Sequence, residues 1–149
     1  MRSKSTVCIL GLGYIGLPTA ALIASAGFRV KGYDINKSVV EVIAKGKSHF
    51  LEKDLDELIN NVVENGSLVA TSKIVPSDIY IICVPTPITH SKEPDVSYVI
   101  SSASEIATIL KSGDLVILES TCPVGTTRHL ERIFRDACAQ LKFPTEYSD

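Results

Sequence analysis

The sequence predicts an α/β fold in which a doubly wound parallel sheet is covered by helices on both faces, in three αβα layers. Three observations support this prediction. Apolar segments of strand length alternate with helical segments along the 149 residues, the first apolar segment runs into a G-x-G-x-x-G motif, and the second ends at an acidic residue, Asp34. Alternation of this kind indicates βαβ units, and the glycine motif followed by an acid is typical of a Rossmann-type dinucleotide-binding domain.

The first half of the chain is predicted to contain three strands and three helices. Gly27 and Gly46 suit the left-handed position that follows a helix, while Asn36 and Asp54 have side chains that cap a helix N-terminus. Leu55, Leu58, Ile59 and Val62 recur at helical spacing. The predicted elements are strand 6–10, helix 14–26, strand 28–33, helix 37–45, helix 54–64 and strand 68–71.

The second half is predicted to contain two strands and two helices. Prolines 85 and 87 end the fourth strand, because proline cannot donate to a strand ladder. Asp95 is expected to cap the next helix and Gly113 to end the turn after it. The predicted elements are strand 79–84, helix 95–110, strand 115–118 and a helix from Thr126 or Thr127 to 140. Five strands instead of the usual six suggest a domain truncated before its last strand and cut from a larger protein.

Composition limits the classes of partner. A net charge of −2 and a pI near 5.9, with scattered lysines and arginines, disfavour nucleic acid and anionic membranes. No apolar run approaches the roughly 20 residues of a membrane span, and the short basic start lacks a cleavage pattern, so we expect one cytoplasmic domain. The four cysteines and three histidines are too dispersed for a disulfide framework or a metal site.

The glycine motif predicts a site for a dinucleotide. Gly11 permits the tight turn, Gly13 leaves room for a pyrophosphate beside the backbone, and Gly16 allows close packing of helix on strand. Asp34 follows at close to the spacing of about 20 residues expected for an acid that binds the adenosine ribose, and it would repel the extra phosphate of NADP, which favours NAD. The alternatives are a ligand-free turn and a simple turn acid. Lys37 either reaches the same ribose or is solvated.

Residues after the later strands are further candidates, since ligands bind beyond the carboxyl ends of parallel strands. Val84, Pro85 and Thr86 form either a rigid ledge beside the cofactor, with the Thr86 hydroxyl free to meet it, or only a stiff strand exit. The segment 119–127 positions a water or a sugar, or it is an elaborate helix cap in which Thr126 caps the helix.

The remaining polar candidates are weaker. Cys122 lies where a helix N-terminus could lower its pKa, but no histidine is suitably placed and we expect no nucleophile there. Cys8, Cys83 and Cys138 are expected to be buried structural thiols. His49 and His90 lie in loops without partners at metal-binding spacing, and we assign them no specific role.

Several motifs together resemble the UDP-glucose/GDP-mannose dehydrogenase family. They are Gly11-Leu12-Gly13-Tyr14-Ile15-Gly16-Leu17-Pro18, Asp34-Ile35-Asn36, Val84-Pro85-Thr86-Pro87, Glu93-Pro94-Asp95 and Glu119-Ser120-Thr121-Cys122-Pro123-Val124-Gly125-Thr126-Thr127. The resemblance runs from about Thr6 to the end of the chain. It implies a two-step oxidation of a nucleotide sugar's C6 hydroxyl to a carboxylate with reduction of two NAD⁺.

The resemblance also implies roles for individual residues. Gly11, Gly13, Tyr14, Ile15 and Gly16 would hold the pyrophosphate, Asp34 and Lys37 the ribose, and Thr121 the water or the reacting C6 group. The cofactor contacts it implies are completed by Val84, Pro85, Thr86, Glu119, Ser120 and Thr121.

The substrate that the resemblance favours is UDP-N-acetyl-D-mannosamine, with UDP-N-acetylglucosamine or UDP-glucose as alternatives. The family's nucleophilic cysteine belongs to a central helical region and a second Rossmann-like domain outside this chain, so we expect an inactive fragment of a homo-oligomeric enzyme. A different class, a regulatory module that senses NAD(H), stays open; the hydroxyl-rich segment after the fifth strand argues against it.

Overall fold

A computed structural model describes residues 5–52, 54–90 and 92–144. These residues form a parallel sheet of five strands in the order β3-β2-β1-β4-β5, with helices on both faces, which confirms the predicted fold class. The elements are β1 Thr6–Leu10, α1 Gly16–Ser25, β2 Arg29–Tyr33, α2 Lys37–Ala44, α3 Leu55–Glu64, β3 Leu68–Thr71, β4 Ile79–Ile82, α4 Ser97–Ala107, β5 Leu115–Leu118 and α5 Thr126–Ala137.

The central strand β1 joins the two halves of the hydrophobic core. Val7 and Ile9 pack with α1 and α3 on one face of the sheet, whereas Cys8 and Leu10 pack with α4 and α5 on the other. Alternate side chains of one strand point to opposite faces, so a strand covered on both sides is apolar throughout. This position explains the uninterrupted apolar run that precedes the glycine motif.

The helix caps test the local predictions. Asn36 caps α2 by accepting from the Ser38 amide at 3.0 Å, and Gly27 and Gly46 have φ of 88° and 73°, as predicted. The prediction for Asp54 is wrong, because this residue has φ of 65° and its side chain makes no capping bond to α3. Asp95 lies one residue before the N-cap position of α4, yet its Oδ1 accepts from the Ser97 amide at 2.9 Å.

Several elements are shorter than predicted. The motif residues 11–15 form the turn, so α1 begins at Gly16. The strand β4 stops at Ile82, whose carbonyl accepts from the amides of Glu119 and Ser120 where β5 ends. The helices α4 and α5 end at Ala107 and Ala137.

The buried thiols are structural. Cys8 has no exposed surface in β1, and its burial raises the pKa of the thiol to about 12. Cys138 is also buried and donates its thiol hydrogen to the Ala107 carbonyl at 3.2 Å, which joins the end of α5 to α4. None of the helices within residues 5–52, 54–90 and 92–144 has the length and hydropathy to cross a membrane.

Candidate cofactor-binding site

A cleft of about 580 Å³ lies at the carboxyl ends of β1, β2, β4 and β5. It brings together all of the sequence-predicted site residues except Gly16 and Lys37. Those that line it are Gly11, Gly13, Tyr14, Ile15, Asp34, Val84, Pro85, Thr86, Glu119, Ser120 and Thr121. Gly16 is buried beneath the turn, and Lys37 is the exposed first residue of α2.

The three motif glycines differ in the space that a side chain would meet. Gly11 has φ of 90°, and a Cβ there would lie 2.9 Å from the Cys83 carbonyl oxygen. A Cβ on Gly16 would overlap the carbonyl oxygen of Gly11. A Cβ on Gly13, in contrast, would meet no heavy atom within 4 Å. Gly11 and Gly16 are therefore required by packing, while Gly13 leaves open space at the N-terminus of α1, where helix amides and the helix dipole favour a phosphate.

Asp34 is held rigidly at the end of β2. Its Oδ2 accepts from the Leu12 amide at 2.9 Å, and its Oδ1 accepts from the Asn36 amide at 2.8 Å. A carboxylate offers about four acceptor sites, so each oxygen keeps capacity for a further donor such as a ribose hydroxyl. The bond to Leu12 ties the acid directly to the glycine-rich turn.

The segments that follow β4 and β5 are hydrogen-bonded to each other. The Ser120 hydroxyl donates to the Val84 carbonyl, and the Thr86 hydroxyl donates to the Thr121 carbonyl, both at 2.7 Å. The prediction of a free Thr86 hydroxyl is therefore wrong, because its hydrogen is used in this bond and only oxygen lone pairs face a ligand. Thr126 likewise donates to the Pro123 carbonyl at 2.8 Å as the first residue of α5, while Gly125 holds the N-cap position.

Glu119 connects three elements below the glycine turn. Its Oε2 accepts from the Cys83 thiol at 3.2 Å, and its Oε1 accepts from the Thr19 hydroxyl of α1 at 3.5 Å. Burial and the neighbouring Glu119 carboxylate both raise the pKa of the Cys83 thiol. Cys83 is thus a hydrogen-bond donor to a residue of the cleft, and not merely the small apolar group that its position predicted.

Sequence reasoning missed one wall of the cleft. Tyr98, Ser101, Ser102 and Glu105 of α4 line it, and their spacing of three and four residues places them on one helix face. The Tyr33 hydroxyl donates to Glu105 Oε2 at 2.8 Å. Polar residues at i, i+3, i+4 and i+7 in the sequence were the available signal for this face.

The loop before α3 docks on the glycine-rich turn. His49 Nε2 lies 2.7 Å from the Leu12 carbonyl oxygen, and the ring centroids of Phe50 and Tyr14 lie 4.4 Å apart. The sequence assigned no specific role to His49, whereas the structure places its ring against this turn. This loop supports the turn from the side of α2 and α3.

Cys122 lacks the features of an activated thiol. It packs against the core between the sheet, α4 and α5, and burial raises its pKa. A nucleophilic cysteine requires a lowered pKa, so this environment supports the prediction of a non-nucleophilic residue. Among the described residues, no group of three or more histidine, cysteine or acidic side chains could hold a metal ion.

Comparison with known proteins identifies close relatives. The sequence profile of the NAD-binding domain of the UDP-glucose/GDP-mannose dehydrogenase family matches residues 5–147. UDP-N-acetyl-D-mannosamine dehydrogenase of Campylobacter jejuni is 46% identical over 145 residues, which cover 97% of this chain and 36% of that protein. NDP-N-acetyl-D-galactosaminuronic acid dehydrogenase of Ralstonia nicotianae is 45% identical over 144 residues, covering 97% of this chain and 34% of that protein.

A solved structure gives the same result. The UDP-D-ManNAc dehydrogenase of Pyrococcus horikoshii superposes with a TM-score of 0.88 and 38% identity, covering 92% of this chain and 33% of that one. The chain therefore spans about a third of the length of the relatives that it matches.

Proposed function

The chain belongs to the UDP-glucose/GDP-mannose dehydrogenase family, whose NAD-binding domain it matches, and on that premise we propose that it serves an enzyme that oxidises UDP-N-acetyl-D-mannosamine. The product would be the corresponding uronate. Two NAD⁺ and one water are consumed for each C6 alcohol converted to a carboxylate, so electrons and oxygen balance. UDP-N-acetylglucosamine and UDP-glucose are the alternative substrates.

The observation that carries the proposal is the junction of Asp34 with the glycine-rich turn. The bond from the Leu12 amide to Asp34 Oδ2 places a carboxylate beside the open space above Gly13. A diphosphate bound at the turn and a ribose bound by Asp34 would then be adjacent parts of one dinucleotide. When bound there, NAD⁺ supplies the acceptor for the electrons removed from the sugar.

The remaining residues hold and orient the ligands in this proposal. Gly11, Gly13, Tyr14, Ile15 and Gly16 shape the diphosphate site, and Lys37, the exposed first residue of α2, would reach the ribose from outside the cleft. Val84, Pro85, Thr86, Glu119 and Ser120 form the wall beside the rest of the cofactor. Thr121, exposed at the mouth of the cleft, positions the water or the C6 group.

Isothermal titration calorimetry tests cofactor binding. We expect the chain to bind NAD⁺ at least about tenfold more tightly than NADP⁺, because Asp34 repels a 2′-phosphate. Asp34→Asn keeps the shape but removes the charge, so NAD⁺ affinity should fall about tenfold, as expected for a charged hydrogen bond.

The matched control for this test is Asp114→Asn. Asp114 also accepts from a backbone amide, that of Lys111 at 2.9 Å, but it precedes β5 at the opposite end of the sheet. The control should leave NAD⁺ affinity unchanged. Equal affinity of the wild type and Asp34→Asn for NAD⁺ would refute the ribose role.

Turnover is tested by mixing the 149-residue chain with NAD⁺ and UDP-N-acetyl-D-mannosamine and following NADH absorbance. The nucleophilic cysteine of the second half-reaction is expected outside this chain, so we expect no sustained NADH production. Sustained NADH production would contradict the expectation that the nucleophilic cysteine lies outside this chain. Restored production by a longer protein carrying this domain, and its loss with a different UDP-sugar, would support the assigned substrate.

A further inference from the structure

The wall formed by α4 has no role in the site described so far. Tyr98, Ser101, Ser102 and Glu105 form a polar face that the helix turns into the cleft. A helix packed on a sheet usually buries an apolar face there. Four polar residues facing a cavity at this spacing indicate contact with something that carries hydrogen-bonding groups.

The position of Glu105 in the cleft is fixed by its bond to Tyr33. The Tyr33 hydroxyl donates to Glu105 Oε2 at 2.8 Å, and Tyr33 immediately precedes Asp34 in the chain. Tyr33 is only 8% exposed, and burial together with the adjacent Glu105 raises its pKa to about 12, so it remains a donor at neutral pH. Glu105 is therefore hydrogen-bonded to the residue that immediately precedes the acid assigned to the ribose.

The orientation of the cofactor, taken from the proposed function, brings the base to this wall. The diphosphate lies at the glycine-rich turn and the ribose at Asp34, so the adenine extends beyond Asp34, away from the turn. The cleft surfaces on that side are Ile35 and Val39 after β2 and the polar face of α4. The first two offer apolar contact to the ring, and α4 offers groups for its edge.

We propose that Glu105 is a specificity-determining residue that accepts a hydrogen bond from the 6-amino group of adenine. The donation from Tyr33 uses one acceptor position of the carboxylate and leaves others for a second donor. The amino group is the only donor on the six-membered ring edge of adenine, whereas hypoxanthine presents a carbonyl oxygen at the same position. A carboxylate opposite position 6 attracts the amino group of adenine and repels the carbonyl oxygen of hypoxanthine, whose N1–H donor lies one ring position away.

The same bond between Tyr33 and Glu105 would exist if its role were only to fasten α4 to β2. The two roles differ in one measurable property. A structural role changes the affinity for every dinucleotide equally, whereas base recognition changes the ratio of affinities for two dinucleotides that differ only at position 6 of the purine. The ratio is therefore the quantity to measure.

The experiment is titration calorimetry of the chain with NAD⁺ and with nicotinamide hypoxanthine dinucleotide. We expect the wild type to prefer NAD⁺ by about tenfold, as for one hydrogen bond to a charged acceptor. Glu105→Gln can donate to the hypoxanthine carbonyl, so the preference should fall to about twofold or less. Glu64→Gln, the same change on an exposed residue outside the cleft, should keep the wild-type ratio.

The ratio of the two dinucleotide affinities can be measured on the wild type alone, so the proposal can still be tested if Glu105→Gln does not fold. A wild type that binds both dinucleotides equally would overturn the proposal while leaving NAD binding intact. So would a folded Glu105→Gln with the wild-type preference. If the wild type binds neither dinucleotide, the proposed function fails together with this inference, and that result is distinct from the other two.

Discussion

The contrast between Gly13 and Gly16 gives a sharp test of the site, because the same substitution has opposite consequences at the two positions. Neither glycine has a positive φ, so alanine causes no φ strain at either position. A methyl group on Gly13 enters open space, and one on Gly16 overlaps the Gly11 carbonyl oxygen. We therefore expect Gly13→Ala to impair binding alone and Gly16→Ala to impair folding.

The magnitudes follow from these environments. Gly13→Ala should leave the unfolding free energy unchanged or raise it by about 0.4–1 kcal/mol, since alanine restricts the unfolded chain. Its methyl group would occupy the place that we propose for the diphosphate, and loss of one or two amide–phosphate bonds should lower NAD⁺ affinity roughly 10- to 100-fold. Gly16→Ala should cost about 3 kcal/mol, the upper end for overpacking, because backbone must move.

The assays are thermal unfolding and calorimetric titration of both variants beside the wild type. For a domain of this size, about 3 kcal/mol corresponds to a fall of roughly 6–12 °C in Tm. Wild-type NAD⁺ affinity in Gly13→Ala would refute the placement of the diphosphate. Wild-type Tm in Gly16→Ala would refute the packing role given to that glycine.

Three other predictions concern hydroxyl and thiol groups. Thr86→Val removes the donor to the Thr121 carbonyl, so urea unfolding should show a loss of about 1 kcal/mol that Thr86→Ser avoids; equal losses would contradict this. The Cys8 thiol has a pKa near 12 in the folded protein, against an ordinary value of 9.0. Its contribution to the free energy of unfolding is therefore complete below pH 9 and is lost as the pH rises toward 12. The free energy of unfolding should therefore fall between pH 9 and 12, and Cys8→Ala should make its dependence on pH shallower by about 1.4 kcal/mol per pH unit. An unchanged pH dependence in Cys8→Ala would exclude this cause. Cys122 should react slowly with iodoacetamide at pH 7, because burial raises its pKa; rapid stoichiometric labelling would show otherwise.

The sequence predicted the sheet better than the helix ends. The strands β1, β3 and β5 have the predicted bounds because each is a continuous apolar run closed by a turn. A cap, in contrast, depends on the backbone angles of one residue. Asp54 has a capping side chain but adopts a left-handed conformation, so its carboxylate does not reach the helix amides. Residue type alone does not determine that angle.

The site was predictable where it follows strand ends. The parallel order brings Asp34, Thr86 and Thr121 to one edge of the sheet, and the order follows from the alternation of elements. The polar face of α4 was not predictable as part of the site, because the face of this helix that meets the cleft depends on the path of the connection from β4. The contact of His49 with Leu12 depends similarly on how a loop docks over a distance of many residues.

The sheet order also affects how the domain acquires its ligand. The earliest of the five strands, β1, lies in the middle of the sheet, where the Thr6 amide donates to Asp78 Oδ2, and the cleft is finished only by residues that follow β5. During synthesis this domain consequently has no complete pocket until β5 and the residues that follow it have emerged. A ligand bound by such a pocket recognises only the fully folded state, and at 100 times its Kd it adds about 2.7 kcal/mol to the stability of the whole domain.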